Sequence, residues 1–372
     1  MPVPSFARLN NVVLAAFATA TVVGSITCAV NDGSSFGDDD DDDGTSSGTG
    51  GEGGLILTIG GGQQGGAPPM CTDPGCVGNT PQGACDGALP IDSADGMDGA
   101  RAIGICQQAT GDSWGVVSAT YVRSDGQPMT APELAIGRGI LNAFGSNVQP
   151  REGAQMLALS SGAARQPTDP GYMSVGGHWK DMAPHGSPPG YPKESPSCPG
   201  VTTGEPYDSA GLKLVIKTPL DALSFTFNLD FYTYEFPGFI CSTFNDFFVA
   251  MMNPIPQGLV DGNISFDAQG NLISVNAGFL EVCYPQTAGG KNFPCAFGPG
   301  ELLGTGYDEQ SNGSAATSWL QTTAPIENPG QNIEIMFAIW DSGDGILDST
   351  VLIDNFKFEL ESGVVGTIPD PK

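Results

Sequence analysis

The sequence contains few positive charges and few charged residues of any kind. Lysine and arginine together number 13 of 372 residues, against 41 aspartates and glutamates, and the formal net charge is −28. A nucleic-acid-binding surface needs a cluster of basic side chains, and anionic membrane surfaces attract basic segments. The composition therefore argues against nucleic acid as a partner. It favours a soluble, self-repelling surface or one that binds cations.

Histidine is equally scarce, which limits the catalytic machinery that the chain can build. The two histidines, His178 and His185, both fall in a Pro- and Gly-rich stretch. A nucleophilic serine or cysteine needs a base beside it, so we predict a non-catalytic protein. The alternative is a carbohydrate-active or glycan-binding β-sandwich that uses Glu235 with Asp246 or Asp341, because glycosidases place two carboxylates about 5 to 9 Å apart.

Long helical patterns are missing, whereas glycine and proline are abundant. The chain has 54 Gly and 30 Pro, a usage that suits short strands joined by turns. The clearest strand begins at Leu223 and alternates strictly between apolar and polar residues. Its apolar positions are Leu223, Phe225, Phe227, Leu229 and Phe231, and its polar positions are Ser224, Thr226, Asn228, Asp230 and Tyr232. Alternation with period two predicts a strand with one buried face.

Similar patterns along the rest of the chain define the predicted fold class. Further strands are predicted at 114–122, 155–161, 212–217, 263–267, 272–284, 332–339 and 350–360. A capping-box pattern at Thr130–Glu133 predicts a short helix that continues to about Phe144 and is stopped by Gly145. Several strands with Gly/Pro turns and almost no helix indicate an all-β fold. We predict an antiparallel β-sandwich, jelly-roll-like, with one or two short helices.

The first 28 residues have the pattern of a signal peptide. Arg8 precedes an apolar core from Val12 to Val23, and about a dozen residues are too few for a membrane-spanning helix. Small residues before Cys28 predict a lipoprotein that is lipidated at this cysteine and held at the outer membrane or cell surface. Ordinary cleavage near Ala29, which would give a secreted or periplasmic protein, is the alternative.

Cysteine usage is consistent with lipidation at Cys28. The chain has nine cysteines, an odd number, and lipidation of one leaves an even set. Such a set in an exported chain predicts disulfides among Cys71, Cys76, Cys85, Cys106, Cys198, Cys241, Cys283 and Cys295. Cys85 with Cys106 and Cys283 with Cys295 are candidate pairs, and Cys241 with one of the latter two is the alternative. A zinc site at Cys71 and Cys76 is disfavoured because no histidine lies near.

Composition divides the rest of the chain into four regions. Residues 29–69 form a low-complexity Gly/Ser/Asp segment with six consecutive aspartates, which predicts a disordered acidic linker. Residues 70–110 are a small Cys-rich segment with almost no core of its own. Its aspartates at positions 92, 95 and 98 predict a polar turn rather than a loop that binds calcium. The β-sandwich domain is predicted at 111–362, followed by a flexible tail at 363–372.

Three motifs in the second half of the chain occur together. An aromatic-Glu-aromatic-Pro turn occurs at Tyr234–Pro237, and Phe-Asn-Asp occurs at Phe244–Asp246. A third motif, Asp-x-Gly-Asp followed by Asp-Ser, spans Asp341–Ser349. With these motifs the chain resembles the choice-of-anchor L domain, a family of bacterial surface proteins with a β-rich domain and differing anchoring devices. The resemblance covers roughly residues 100 to 360. One departure is Gly238, where the family pattern often has a second Glu. The resemblance implies surface display and adhesion-like binding, with no established chemistry.

The aromatic residues at the strand ends are candidates for binding an unknown surface ligand, either a glycan or a protein. Tyr232, Tyr234 and Trp340 could stack on a sugar or peptide if they are exposed. The alternative is that they belong to the core, which is the more common position of aromatic residues at strand ends. Fully buried aromatics would favour a structural role.

The acidic residues of the motifs are candidate ligands of a calcium ion. Asp341, Asp344 and Asp348 fall within eight residues around two glycines, and hard cations prefer carboxylate and carbonyl oxygens. Asp354 lies in the last strand on the phase of Leu352, Phe356 and Phe358, unless a bulge turns it outward. Glu235 and Asp246 join the site only if the fold brings them there. The alternative is that the loop aspartates accept hydrogen bonds within a turn.

Overall fold

A computed structural model describes residues 71, 73, 75–77, 84–177, 180, 183–288, 290–308 and 313–370, except the side chain of Glu133. The predicted signal peptide, its Cys28 and the predicted linker at 29–69 lie outside the described residues. No helix in the described part of the chain is long and apolar enough to cross a membrane.

The described chain consists mainly of strands. One α-helix, α1 (Gly96–Ala102), and two 3-10 turns, Pro132–Gly137 and Gly300–Leu302, are its helical elements. The strands are β1 (Gly115–Val122), β2 (Arg138–Leu141), β3 (Met156–Ser160), β4 (Pro206–Lys217), β5 (Ser224–Thr233), β6 (Phe247–Asn253), β7 (Ile273–Ser274), β8 (Val282–Cys283), β9 (Gln286–Ala288), β10 (Lys291–Phe293), β11 (Ala315–Ala316), β12 (Leu320–Pro325), β13 (Asn332–Ser342), β14 (Ser349–Glu359) and β15 (Gly366–Pro369).

These strands form two main antiparallel sheets. The first has the order β1-β4-β13-β6-β7. The second has the order β15-β12-β5-β14-β3-β2, and β11 and β8 extend it beside the end of β5. The short strands β9 and β10 pair separately as a hairpin. The strands that carry the strongest alternation, β5 and β13, are central in their sheets.

The two sheets pack face to face around one apolar core. Alternate residues of β5 and β14 from one sheet contact alternate residues of β4 and β13 from the other. Phe227 of β5 meets Phe337 of β13 edge to face, with ring centroids 5.0 Å apart. Burial of these side chains is the main favourable contribution to folding. The predicted all-β, antiparallel β-sandwich is therefore confirmed.

Strand β5 is buried on both faces, whereas its alternation predicted one buried face. Every residue from Ser224 to Thr233 is buried. The outer face packs under a second apolar cluster in which Tyr232 contacts Phe144 and Tyr307. Polar side chains on that face are satisfied locally. Asp230 accepts a hydrogen bond from the Tyr232 hydroxyl at 2.9 Å. Loops that cover the outer sheet surface account for this difference.

The predicted helix between Thr130 and Phe144 is wrong. The chain makes one 3-10 turn at Pro132–Gly137 and then enters β2, which pairs with β3. A side chain at Gly139 would overlap the Ala164 backbone, so this glycine allows the close approach of the β2 backbone. Pairing of β2 with its neighbour outweighs the local capping pattern, which makes no side-chain cap hydrogen bond.

The Cys-rich segment and the C-terminal tail are both parts of the sandwich. Asp95 caps α1 by accepting a hydrogen bond from the Met97 N–H, where a polar turn was predicted. Ala100 and Ile103 join the core between the sheets, so the segment has no separate fold. The tail was predicted to be flexible, but β15 pairs with β12. Backbone pairing at the open edge of the sheet orders it.

The remaining predicted strands are confirmed at their centres, with two exceptions. Residues 263–267 form isolated bridges in place of a strand, because polar side chains occupy backbone donors there. Asp261 Oδ1 accepts the Asn263 N–H at 3.1 Å, and Asn263 Oδ1 accepts the Ser265 N–H at 3.2 Å. The predicted strand at 272–284 is present only as its two ends, β7 and β8.

All eight cysteines in the described chain form disulfides. The pairs are Cys71–Cys76, Cys85–Cys106, Cys198–Cys241 and Cys283–Cys295. The two candidate pairs from the sequence are confirmed, and the alternative partner for Cys241 is wrong. Cys198–Cys241 joins the long loop before β4 to the turn after β5, 43 residues away.

Candidate functional site

Two acidic residues lie where one sheet ends. Glu235 follows β5, and Asp348 precedes β14. These strands pair antiparallel, with Thr233 opposite Ser349. The register therefore brings the two carboxylates to the same end of the sheet, although 113 positions separate them in the printed sequence.

The other sheet supplies a matching pair at its own end. Asp341 lies near the end of β13, and Asp246 immediately precedes β6. Trp340 of β13 pairs with Phe247 of β6. We refer to Glu235, Asp246, Asp341 and Asp348 as the acidic cluster. All four are buried, with at most 3% of each residue exposed.

Hydrogen bonds through Asp246 connect the two sheets. The Asp246 N–H donates to Glu235 Oε2 at 3.0 Å. In turn, Asp246 Oδ1 accepts from the Ser342 N–H at 3.2 Å, and its Oδ2 accepts from the Ser349 hydroxyl at 2.7 Å. Asp246 therefore connects the ends of β5, β13 and β14.

The other two carboxyl groups of the cluster have few partners. Both side-chain oxygens of Asp348 are buried and accept no hydrogen bond from the described residues. Asp341 interacts with the Ser161 side chain, and it lies close enough to Asp246 to share a proton with it. Asp348 packs against Gly162, where any side chain would overlap its carboxylate. Unsatisfied buried carboxylates are costly unless a proton or a cation neutralises them.

Burial makes all four acids of the cluster weaker. Loss of solvent is the largest cause of the raised pKa of each. It raises the pKa of Asp341 to about 7 and those of Glu235, Asp246 and Asp348 well above their usual values. Mutual repulsion adds to this, since the charge of Asp341 raises the pKa of the other three. Ionising all of them together is therefore unfavourable.

One buried lysine partly offsets this charge. The ammonium of Lys180 lowers the pKa of Asp341 and of Asp348, and it also donates to the Ser160 carbonyl oxygen at 2.7 Å. Its backbone N–H donates to Asp208 Oδ2 at 2.9 Å. Asp208 is a further buried acid that raises the pKa of the same two aspartates. Sequence spacing did not identify Lys180 or Asp208, since both lie far from the motifs.

The loop after β13 divides the candidate metal ligands into two kinds. Asp344 is half-buried, and its Oδ1 accepts from the Ile346 N–H at 3.2 Å, as predicted for a turn residue. Asp341 and Asp348 make no such bond. Among the described residues, the group that places three potential ligand atoms within 4.8 Å of one another is Cys71, Cys76 and Asp221. Since Cys71 and Cys76 form a disulfide, that group lacks free thiolates.

Asp354 does not belong to the acidic cluster. It lies five residues into β14 beyond Ser349, roughly 17 Å along the strand. A bulge follows Asp354, but the side chain remains fully buried. The N–H groups of Arg151, Glu152 and Asn355 donate to its carboxylate at 2.6 to 3.1 Å. Asp354 is therefore removed from the set of candidate metal ligands.

The candidate binding aromatics are buried. Tyr232 is 0%, Tyr234 7% and Trp340 1% exposed. Trp340 packs on the outer face of the first sheet against Tyr191, with ring centroids 5.6 Å apart. The prediction that these three side chains form an exposed stacking surface is wrong. Loops that cover the outer faces of both sheets account for their burial.

A cleft of about 530 Å³ opens beside the acidic cluster, along the turn after β5. Its described lining is Ser174, Gly176, Tyr234, Glu235, Phe236, Pro237, Gly238, Phe239, Gly313 and Leu347. Glu235 is the one carboxylate in this described lining. A side chain at Gly238 would meet no atom within 4 Å, so the glycine at this position leaves the cleft open.

Comparisons with known proteins give little further information. No family model matches the chain, and no curated protein matches it. Among solved structures, the chain is similar to a carbohydrate-binding module specific for non-crystalline cellulose, at 11% identity over 74% of this chain and 96% of that chain. The TM-score of 0.23 is too low for this similarity to support an argument. The resemblance to the choice-of-anchor L domain stays a prediction.

Proposed function

We propose that the chain is an exported, lipid-anchored surface protein whose β-sandwich is a non-catalytic binding module. Its ligand, a segment of a glycan or a protein, binds the cleft along the turn Tyr234–Phe239. The observation that carries the proposal is the cleft itself. Its lining includes three aromatic residues and one carboxylate, which is the usual make-up of a recognition site.

The backbone that lines the cleft is restrained by a disulfide and a hydrogen bond, and this restraint favours recognition. The turn that forms its floor continues to Cys241, which is linked to Cys198. The Cys241 N–H also donates to Asn276 Oδ1 at 2.8 Å. A site on restrained backbone loses little conformational entropy when a ligand binds.

Two features of the described residues argue against hydrolysis at this site. The cleft lining provides Glu235 alone, whereas a glycosidase needs two carboxylates that face the substrate. Asp246 and Asp341 are buried behind it. Elsewhere, His185 Nδ1 lies 2.7 Å from the Ser209 hydroxyl, but Ser209 is fully buried and out of reach of a substrate.

The ligand site can be tested with two phenylalanines, of which Phe239 is half-buried and Phe297 is exposed. We expect the mature protein to bind a subset of ligands on a glycan array or on intact cells. Phe239→Ala should weaken this binding at least tenfold, because the ring lines the cleft. Phe297→Ala is the matched control, since Phe297 is 49% exposed and does not line the cleft. Equal loss in both variants would contradict the site. Glycoside turnover that disappears in Glu235→Gln would contradict the non-catalytic role.

Export and anchoring are supported by the sequence and by the disulfides. Four disulfides in one sandwich are typical of proteins that fold in an oxidising compartment. The apolar core of the signal pattern and Cys28 supply the anchor, and the acidic segment at 29–69 would separate the domain from the membrane.

The anchor is tested by substitution of one residue. Cys28→Ser removes the thiol that would carry the lipid, so we expect the protein to leave the membrane fraction and appear in soluble fractions. Cell fractionation with an unaltered copy in parallel measures this change. Retention of the variant in the membrane fraction would place the anchor elsewhere.

A further inference from the structure

The acidic cluster holds four carboxyl groups in the interior, where a negative charge is costly unless a proton or a cation neutralises it. The ammonium of Lys180 lowers the pKa of two of them, Asp341 and Asp348. Lys180 Nζ donates to a backbone carbonyl, and no ion pair with Asp341 or Asp348 is found within 4.0 Å among the described residues. These two carboxyl groups therefore need a proton or a further cation nearby.

A second observation points to a missing partner. Both carboxylate oxygens of Asp348 are fully buried and accept no hydrogen bond from the described residues. Those of Asp341 are buried as well, and the side chains that interact with them are Asp246, itself an acid, and Ser161. Native proteins leave few such groups without a partner, and an ion is one of the partners that satisfy them.

One member of the cluster reaches the cleft. Glu235 lines the cleft and at the same time accepts the Asp246 N–H. Asp246 interacts with Asp341, whose charge in turn acts on Asp348. The four carboxyl groups are therefore connected with one another from the cleft lining into the sandwich.

We propose that the acidic cluster is a binding site for one divalent cation, calcium in particular, with Asp341 and Asp348 as its principal ligands. No three carboxylates of the cluster place oxygens within 4.8 Å of one another. One ion would therefore contact at most two carboxylates, and carbonyl, hydroxyl or water oxygens would complete its shell. Calcium tolerates such irregular shells of six to eight oxygens, whereas magnesium demands a near-ideal octahedron.

The site goes beyond the proposed binding function. An ion at the joined ends of β5, β6, β13 and β14 would stabilise the sandwich whether or not the cleft has a ligand. If calcium stabilises the protein but no ligand binds on the array, the proposed ligand site is contradicted and the ion site is supported. If a ligand binds but calcium has no effect, the ion site is contradicted and the ligand site is supported.

The test compares the mature protein with an isosteric variant, Asp341→Asn together with Asp348→Asn. At a calcium concentration about 100 times the Kd, the unaltered protein should melt roughly 5 °C higher than in chelator. The variant should lose this response. Without calcium it should melt at or above the unaltered protein, because two buried negative charges are gone. Asp112→Asn is the control, since Asp112 is exposed.

Calorimetry with calcium chloride distinguishes this site from the aspartate run in the linker. One binding event should disappear in the double variant while any weak binding to residues 38–43 remains. If the double variant fails to fold, Glu235→Gln serves in its place and should weaken calcium binding severalfold. An unaltered protein whose melting and heat of binding do not respond to calcium would overturn the site. An equal rise in melting temperature in all variants would overturn it as well.

Discussion

Replacement of both Cys198 and Cys241 by serine should lower the free energy of unfolding by about 4 kcal/mol. The estimate follows from the chain entropy that a crosslink removes from the unfolded state, with the 43-residue separation of this pair. Cys283–Cys295 closes a loop of only 12 residues, and its double replacement should cost about 3 kcal/mol. Urea unfolding under non-reducing conditions measures both variants.

The same replacement should also affect the cleft, which gives the experiment a second readout. The Cys198–Cys241 bond holds the end of the turn that forms the cleft, and Cys283–Cys295 does not lie in the described cleft lining. Ligand binding should therefore weaken more when the first pair is removed. A variant without Cys198 and Cys241 that keeps full stability would show that the long loop is held by its other contacts.

Sequence patterns predicted strands well wherever burial follows the period of a strand. The alternation in β5 and β13 reflects apolar residues that face the opposite sheet, so the pattern and the packing have the same origin. The second buried face of β5 could not be read from the sequence, because its residues are polar and pair with loops. Asp230, for example, accepts from Tyr232 and lies near Thr317.

Strand β14 shows how one bulge can change which face of a strand a residue occupies. Leu352, Phe356 and Phe358 share one phase in the sequence, which placed Asp354 on the same apolar face. In the structure, Leu352 packs in the outer cluster, whereas Phe356 and Phe358 pack between the sheets. The bulge after Asp354 changes the phase of the strand. Asp354 is therefore buried on the outer face.

The acidic cluster illustrates the limit of spacing arguments. The loop aspartates were recognisable as candidate ligands because they lie close in sequence, yet Asp344 accepts a bond within its turn. Glu235 and Asp246 come beside Asp341 and Asp348 only through strand register. Register depends on long-range pairing, which a single sequence does not reveal. The position of Asp354 away from the acidic cluster also depends on where the strands pair.

Asp354 should make the stability of the protein depend on pH in neutral solution. Burial is the largest cause of its pKa rising from 3.8 to about 7, and the nearby Glu152 carboxylate contributes in the same direction. The N–H groups of Arg151, Glu152 and Asn355 oppose this change without cancelling it. The folded protein therefore retains a proton at a pH where the unfolded chain has released it.

The sign of the effect follows from that difference in bound protons. Below pH 3.8 both states hold the proton, and above about pH 7 both have lost it. Between these values the free energy of unfolding should fall as pH rises, by up to about 1.4 kcal/mol per pH unit from this group. Asp354→Asn removes the titrating group and should flatten the slope between pH 5 and pH 7. Asp112→Asn, at an exposed position, should leave it unchanged.

Urea unfolding in chelator at several pH values measures the slope of each protein. The comparison between variants isolates Asp354, because the acidic cluster titrates alike in all of them. Asparagine retains an oxygen for the Arg151 and Glu152 N–H groups, so the variant should remain folded. Identical slopes in the unaltered protein and Asp354→Asn would mean that the three backbone donors outweigh burial. The carboxylate would then be ionised throughout the range, as a well-bonded structural anion.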